Sequence, residues 1–315
     1  MKAREKQEAI SRQQQTALPV NNQRHAENEP VSLRDQIWRP YYDVFSPRLG
    51  HHVSGHILVA ENVFSPQLDN ERDILIYLPP SYTKSTRRYP VLYMQDGQNL
   101  FDPATSFAGE WGVDEALEML AATEGLEAIV VAIPNSGAGR LDEYSPFHDL
   151  IHGGGKGNQY LSFIAHSIKP AIDAEFRTLP DRKHTGIMGS SMGGLISLYA
   201  YFHREHIFGY AGVMSPSLWF SHGAIFDYVE NAPYTPGKIY LDVGTREQGG
   251  SMKALRKLAN SRQTYGSVRR MKRILVRKGY RLHQQLLSVE EKWAGHSEAD
   301  WARRLPLALR FFIEP

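Results

Sequence analysis

The chain has 315 residues, 42% hydrophobic and 22% charged, the composition of a globular protein with material for a large core. Its formal charge of +2 supplies no global field for nucleic acid or an anionic membrane, and neither is expected as a partner. It contains no cysteine, which excludes disulfides, thiolate metal sites and a cysteine nucleophile.

Residues 1–35 are polar and rich in Gln, Arg, Lys and Glu, and they predict a tail without fixed structure. They lack the apolar run of a signal peptide, and no stretch of about 18 apolar residues follows. A cytoplasmic location and no membrane span are therefore expected. Val53 to Ala60 and Arg72 to Leu78 read as strands, with Asn70 and Glu71 as their connection. Tyr89 to Met94 reads as a buried strand stopped by Asp96-Gly97. Asp114 to Ala122 is a predicted helix. Ala128 to Ile133 is a continuous apolar run, as in a parallel strand covered on both faces. Tyr160 to Phe176 has helical spacing, with Pro170 as a kink or break. Strands follow at Thr185 to Met188, Tyr210 to Met214, Ile239 to Val243 and Leu286 to Val289. Val268 to Lys278 is a helix closed by Gly279, and a last helix runs from near Ser297 to Phe312. Ser297-x-x-Asp300 resembles a capping box with Asp in place of Glu.

This alternation predicts an α/β protein: a mostly parallel, doubly wound sheet with helices on both faces and an antiparallel N-terminal edge. No repeat or linker divides the chain after residue 40, so residues 36–315 are expected to form one domain. Ligands of such sheets sit beyond the carboxyl ends of the strands.

Gly189-Ser190-Ser191-Met192-Gly193 lies at one such end. It reads G-x-S-x-G between a predicted strand and a helix, the pattern that holds a serine hydroxyl clear of the backbone on a sharp turn. Ser190 occupies an x position; the central residue is Ser191. A serine hydroxyl needs a base and a group to orient that base, in the chain order Ser, acid, His for α/β-hydrolases. His296 follows the last strand and precedes the last helix, where the base belongs. His203, His206 and His222 come too soon, and His283 precedes its strand. Glu247, in the exit loop after Lys238 to Val243, is the favoured acid, with Asp242 inside the strand as the alternative. The oxyanion donors are expected to be the N–H of Met192 and, from the loop after the strand Val91–Met94, that of Gln98.

The chain resembles the Putative esterase family of α/β-hydrolases, which includes enterochelin-type, feruloyl and acetyl-xylan esterases. The resemblance is carried by Asp96-Gly97-Gln98-Asn99-Leu100-Phe101-Asp102, Gly109-Glu110-Trp111-Gly112-Val113-Asp114 and Arg140-Leu141-Asp142-Glu143-Tyr144-Ser145-Pro146. Gly189 to Gly194, Val243-Gly244-Thr245-Arg246-Glu247 and Gly295-His296-Ser297-Glu298 complete it, over about residues 50 to 313. It implies a serine esterase with the triad Ser191, Glu247 and His296. The expected reaction is carboxylic-ester hydrolysis through an acyl-enzyme on a small-molecule or carbohydrate-linked ester. An acyltransferase with a sugar or alcohol acceptor is the alternative; a catalytically dead binding module would have lost a triad member.

No cofactor and no metal are expected. Gly153-Gly154-Gly155-Lys156-Gly157 lacks the Ser or Thr of a phosphate-binding loop. His51, His52 and His56 lack a carboxylate at ligand spacing. The basic run from Arg269 to Lys278 is the solvated face of an amphipathic helix. Trp111, Tyr144 and Trp219 fall in loops after strands, where they line a substrate cleft or pack the loops.

Overall fold

Alternation along the strand Val91–Gln95 decides which helices cover which face of the sheet. Val91 and Tyr93 enter one hydrophobic core, and Leu92 and Met94 enter the other, as the two-residue period of a strand requires. In this computed structural model the described residues are Leu33, 36–247 and 254–314. The tail expected over residues 1–35 lies outside them, apart from Leu33, which is buried in the first core.

The strands are β1 (Arg39–Pro40), β2 (His56–Ser65), β3 (Asn70–Leu78), β4 (Val91–Gln95), β5 (Ile129–Ile133), β6 (His148–Asp149), β7 (Gly153–Gly154), β8 (Thr185–Ser190), β9 (Tyr210–Met214), β10 (Lys238–Gly244) and β11 (Leu286–Glu291). Nine of them form one sheet in the order β1-β2-β3-β5-β4-β8-β9-β10-β11, and β6 and β7 pair separately. From β5 to β11 every pairing is parallel; β1, β2 and β3 form the antiparallel edge that the sequence predicts. The chain order runs outward in opposite directions from the β4/β8 pair. That is the switch point where a doubly wound sheet opens a crevice at its carboxyl edge.

The helices are α1 (Tyr41–Val44), α2 (Val113–Glu124), α3 (Arg140–Glu143), α4 (Gly157–Phe163), α5 (Lys169–Glu175), α6 (Met192–His203), α7 (Phe220–Asn231), α8 (Ala254–Arg277) and α9 (Glu298–Ile313). Leu161, Ile172, Leu195, Ile225 and Met271 bring α4 to α8 onto the first face. Leu117, Leu120, Leu305 and Leu309 bring α2 and α9 onto the second. Burying a Leu or Ile contributes about 2 kcal/mol, so these two layers carry the stability of the fold.

Two expectations are corrected. Asn70 and Glu71 belong to β3, where they pair with Ser65 and Phe64; the turn is residues 66–69, with Asp69 at φ 53°. Turn-forming residue types misled the reading because the Asn side chain serves the strand end here, donating to Glu143 at 2.9 Å. Val53 precedes β2, which starts at His56 and runs on to Ser65 through a bulge at Asn62. At Pro170 the expected interruption is present: a π-turn over Ile164–Ile168 separates α4 from α5, and Pro170 stands in the first turn of α5, where a missing N–H is tolerated. At the last helix the expected cap is present: Ser297 Oγ accepts the Asp300 N–H, and the Asp300 carboxylate accepts the Gly295 N–H at 2.8 Å. Among the described residues, no helix is long and apolar enough to cross a membrane.

Candidate active site

Ser191 stands between β8 and α6 at φ 56°, ψ −119°, a conformation that a residue with a Cβ adopts only where its surroundings enforce it. The enforcing contacts are backbone and glycine. The Ser191 N–H donates to Met214 O at 3.0 Å, and its carbonyl accepts from Ser217 and Leu195. A Cβ on Gly189 would lie 2.8 Å from Gln95 Oε1 and from the Gly193 carbonyl carbon, so the turn closes only with glycine there. The Ser191 hydroxyl contacts Ser217 Oγ at 3.2 Å.

His296 follows β11. Its Nδ1 lies 2.6 Å from Glu247 Oε2, and its ring meets Trp301 edge to face at 4.9 Å between centroids. Glu247 is buried at the end of β10 and accepts two further bonds, from the Gly244 N–H at 2.5 Å and the Ser215 hydroxyl at 2.8 Å. Arg304 donates to Ser215 Oγ at 3.0 Å, so the Ser215 proton is directed to Glu247. These contacts fix the orientation of the carboxylate behind the imidazole. Asp242, the alternative acid, is occupied elsewhere. It accepts Arg304 Nε at 2.7 Å, the Ser215 N–H at 2.9 Å and the Tyr240 hydroxyl at 3.0 Å.

A cavity of about 950 Å³ has Ser191, His296, Gln98, Asn135, Arg140, Glu298 and Trp301 in its wall. The structure thus brings Ser191 and His296 to one cavity, with Glu247 behind the imidazole. Met192 opens α6, where the first N–H groups have no acceptor within the helix. Gln98 lies in a short 3-10 turn, Gly97–Asn99, at the end of β4. A Cβ on Gly97 would sit 2.7 Å from the backbone of Ile133 and Pro134, so the turn packs directly on the end of β5.

Sequence spacing did not reveal what fixes this turn. Asp96 precedes it at φ 56°; its carboxylate is gripped by Arg140 through Nε at 2.7 Å and Nη2 at 2.8 Å, and by Asn135 Nδ2 at 2.7 Å. The Tyr144 hydroxyl accepts the Asp96 N–H at 2.9 Å. Arg140→Ala is expected to lower kcat about 10- to 100-fold with a smaller change in KM, because the turn loses its register. Steady-state kinetics with an unchanged kcat would show that the turn holds itself.

Tyr144 is therefore a buried prop, and Trp111 is buried against Trp301 at 5.6 Å between ring centroids. Neither is in the cavity wall; of the two readings open for them, loop packing is the one observed. Trp219 is 48% exposed against His152 and is also outside that wall. Gly153 and Gly154 pair with His148 and Asp149 in a small ribbon. His51 does face a carboxylate, Asp102 at 2.7 Å, from a position 51 residues away that spacing could not show. Among the described residues, the grouping with metal-ligand spacing is Glu110, Asp114 and Glu115. Asp114 and Glu115 lie in the first turn of α2, whose N–H groups favour carboxylates, and both accept from Ser54.

The sheet order, the strand-to-helix turn at Ser191 and the histidine–carboxylate pair beyond the last two strands define an α/β-hydrolase. The chain belongs to the Putative esterase family, whose profile matches residues 65–312. It is 28% identical over 236 residues to the uncharacterized protein YbbA of Bacillus subtilis, covering 71% of this chain and 86% of that one. It is 31% identical over 140 residues to the siderophore triacetylfusarinine C esterase of Aspergillus fumigatus, covering 42% and 45% of the two chains. Siderophore hydrolase EstA of Aspergillus nidulans shares the fold with a TM-score of 0.63 at 18% identity, covering 81% of this chain and 93% of that one. Family and relatives mark the chain as an esterase, and none of these likenesses favours the acyltransferase alternative.

Proposed function

We propose that the chain is a serine carboxylic-ester hydrolase with one esterase domain over residues 36–315. Ser191 Oγ attacks the ester carbonyl carbon while His296 Nε2 takes its proton. The C=O electrons move onto the oxygen, which the N–H groups of Met192 and Gln98 hold. As the carbonyl re-forms, the C–O bond to the alcohol breaks and the alcohol leaves with the proton from His296. Water, deprotonated by the same imidazole, then attacks the acyl-enzyme; the acid departs and Ser191 is reprotonated. Glu247 accepts a hydrogen bond from Nδ1–H, which stays on the ring, and its negative charge stabilises the imidazolium.

The observation that carries this reading is the 2.6 Å contact of Glu247 with His296, whose imidazole lines the same cavity as the strained Ser191. In the first step the Ser191 hydroxyl leaves Ser217 for His296; such bonds often tighten only when substrate is bound. Siderophores are named for two of the similar proteins, one of them an esterase, so siderophore esters are the first natural substrates to try.

The test is covalent labelling. A fluorophosphonate should add one phosphonyl group, abolish hydrolysis of 4-nitrophenyl acetate, and be found on the peptide that contains Ser191. Label on another residue, or full activity after labelling of Ser191, would refute the assignment.

A further inference from the structure

The cavity wall contains four titratable side chains: Asp96, Arg140, His296 and Glu298. Asp96 and Arg140 neutralise each other through two parallel bonds, and the His296 Nδ1 is taken up by Glu247. Glu298 is different. It is half-buried at the first position of α9, two residues after the imidazole, and among the described residues it has no ion-pair partner. Gly109 lies beside its Cβ, at the distance of an ordinary van der Waals contact for an added methyl. Burial pushes its carboxyl up and Asp96 adds to this, opposed by its own backbone N–H and by His296 and Arg140. The cavity therefore carries one unbalanced carboxylate close to the reacting atoms, with the buried Glu247 adding charge of the same sign behind His296.

We propose that Glu298 is a specificity residue, and that the cavity selects esters bearing a cationic group or a neutral hydrogen-bond donor over esters bearing an anion. This rests on the serine-esterase reading above. A charge within one side-chain length of a half-screened carboxylate changes the free energy of binding enough to shift rates about tenfold in either direction, and more at low ionic strength.

The experiment uses two charge series. In the first, 4-nitrophenyl esters carry 4-(trimethylammonio)butyryl, 5,5-dimethylhexanoyl or 4-sulfobutyryl groups. In the second, butyrate is esterified to choline, 3,3-dimethylbutanol or isethionate. In at least one series, kcat/KM should fall from cation to neutral to anion, by about tenfold per step at low salt. Glu298→Gln should collapse the cation-to-anion ratio, and Glu298→Asp, which keeps the charge, should retain it. Ser191-dependent cleavage of the neutral esters without discrimination in either series would overturn this proposal alone. So would discrimination that survives in Glu298→Gln. Absence of Ser191-dependent cleavage would overturn the esterase mechanism, and this proposal with it.

Discussion

Ser191→Ala should reduce kcat/KM for 4-nitrophenyl acetate by about 10⁴ to 10⁶ while leaving the protein folded. The size follows from the chemistry, since the proposed acyl-enzyme forms on the Ser191 oxygen and alanine has none. What remains is transition-state stabilisation by the oxyanion donors, about 10³-fold over water. The fold should tolerate the change because, among the described residues, the side chain has one hydrogen bond to lose, the 3.2 Å bond to Ser217. The strain at φ 56° is a backbone property, held by the bonds to Met214, Leu195 and Ser217, and alanine meets the same cost as serine. A thermal midpoint within about 3 °C of wild type is expected, and circular dichroism checks it. A rate within tenfold of wild type would mean that Ser191 is not the nucleophile.

How much of this was legible in the sequence depended on how local each determinant is. The turn at Ser191 was readable because strand, glycines, serine and helix are contiguous, and because a strained turn needs those glycines next to one another. His296 was readable from its place between the last strand and the last helix. The turn carrying Gln98 was readable from Gly97, but what fixes it was not. Arg140 meets Asp96 across 44 residues, and Arg304 meets Asp242 across 62. No spacing rule links groups that only the folded sheet brings together. The aromatic side chains were ambiguous for a related reason. Trp111 and Trp219 both follow strands, yet one is buried and the other is 48% exposed, and only packing separates them. At Asn70 and Glu71 the turn-forming residue type is outweighed by strand pairing and by the Asn70–Glu143 bond, which no local pattern shows.

The choice between Glu247 and Asp242 is the sharpest point at which distant contacts decide chemistry, and it yields the second large expected effect. Glu247→Gln keeps the shape of the site and can still accept from Gly244 and Ser215. What it loses is the charge opposite His296 Nδ1. An amide N–H placed there would favour the tautomer with its proton on Nε2, the wrong one for taking the Ser191 proton, and would leave the imidazolium unsupported. A fall in kcat of about 10³ to 10⁴ is expected, with a modest change in stability. Asp242→Asn should do the reverse. Its carboxylate and the Arg304 guanidinium are both nearly inaccessible, with side chains 0% and 4% exposed. Removing the Asp242 charge leaves Arg304 with the more exposed Glu291, 2.8 Å from Nη1, as its ion-pair partner among the described residues, at a cost of about 3 kcal/mol. For a domain of this size that lowers the thermal midpoint by roughly 10 °C. The rate should suffer less, through the Arg304–Ser215–Glu247 chain that steadies the acid. Kinetics and thermal melts on the two variants therefore form a cross. If Asp242→Asn proves to be the variant that keeps its stability and loses its rate, the acid has been placed on the wrong residue of β10.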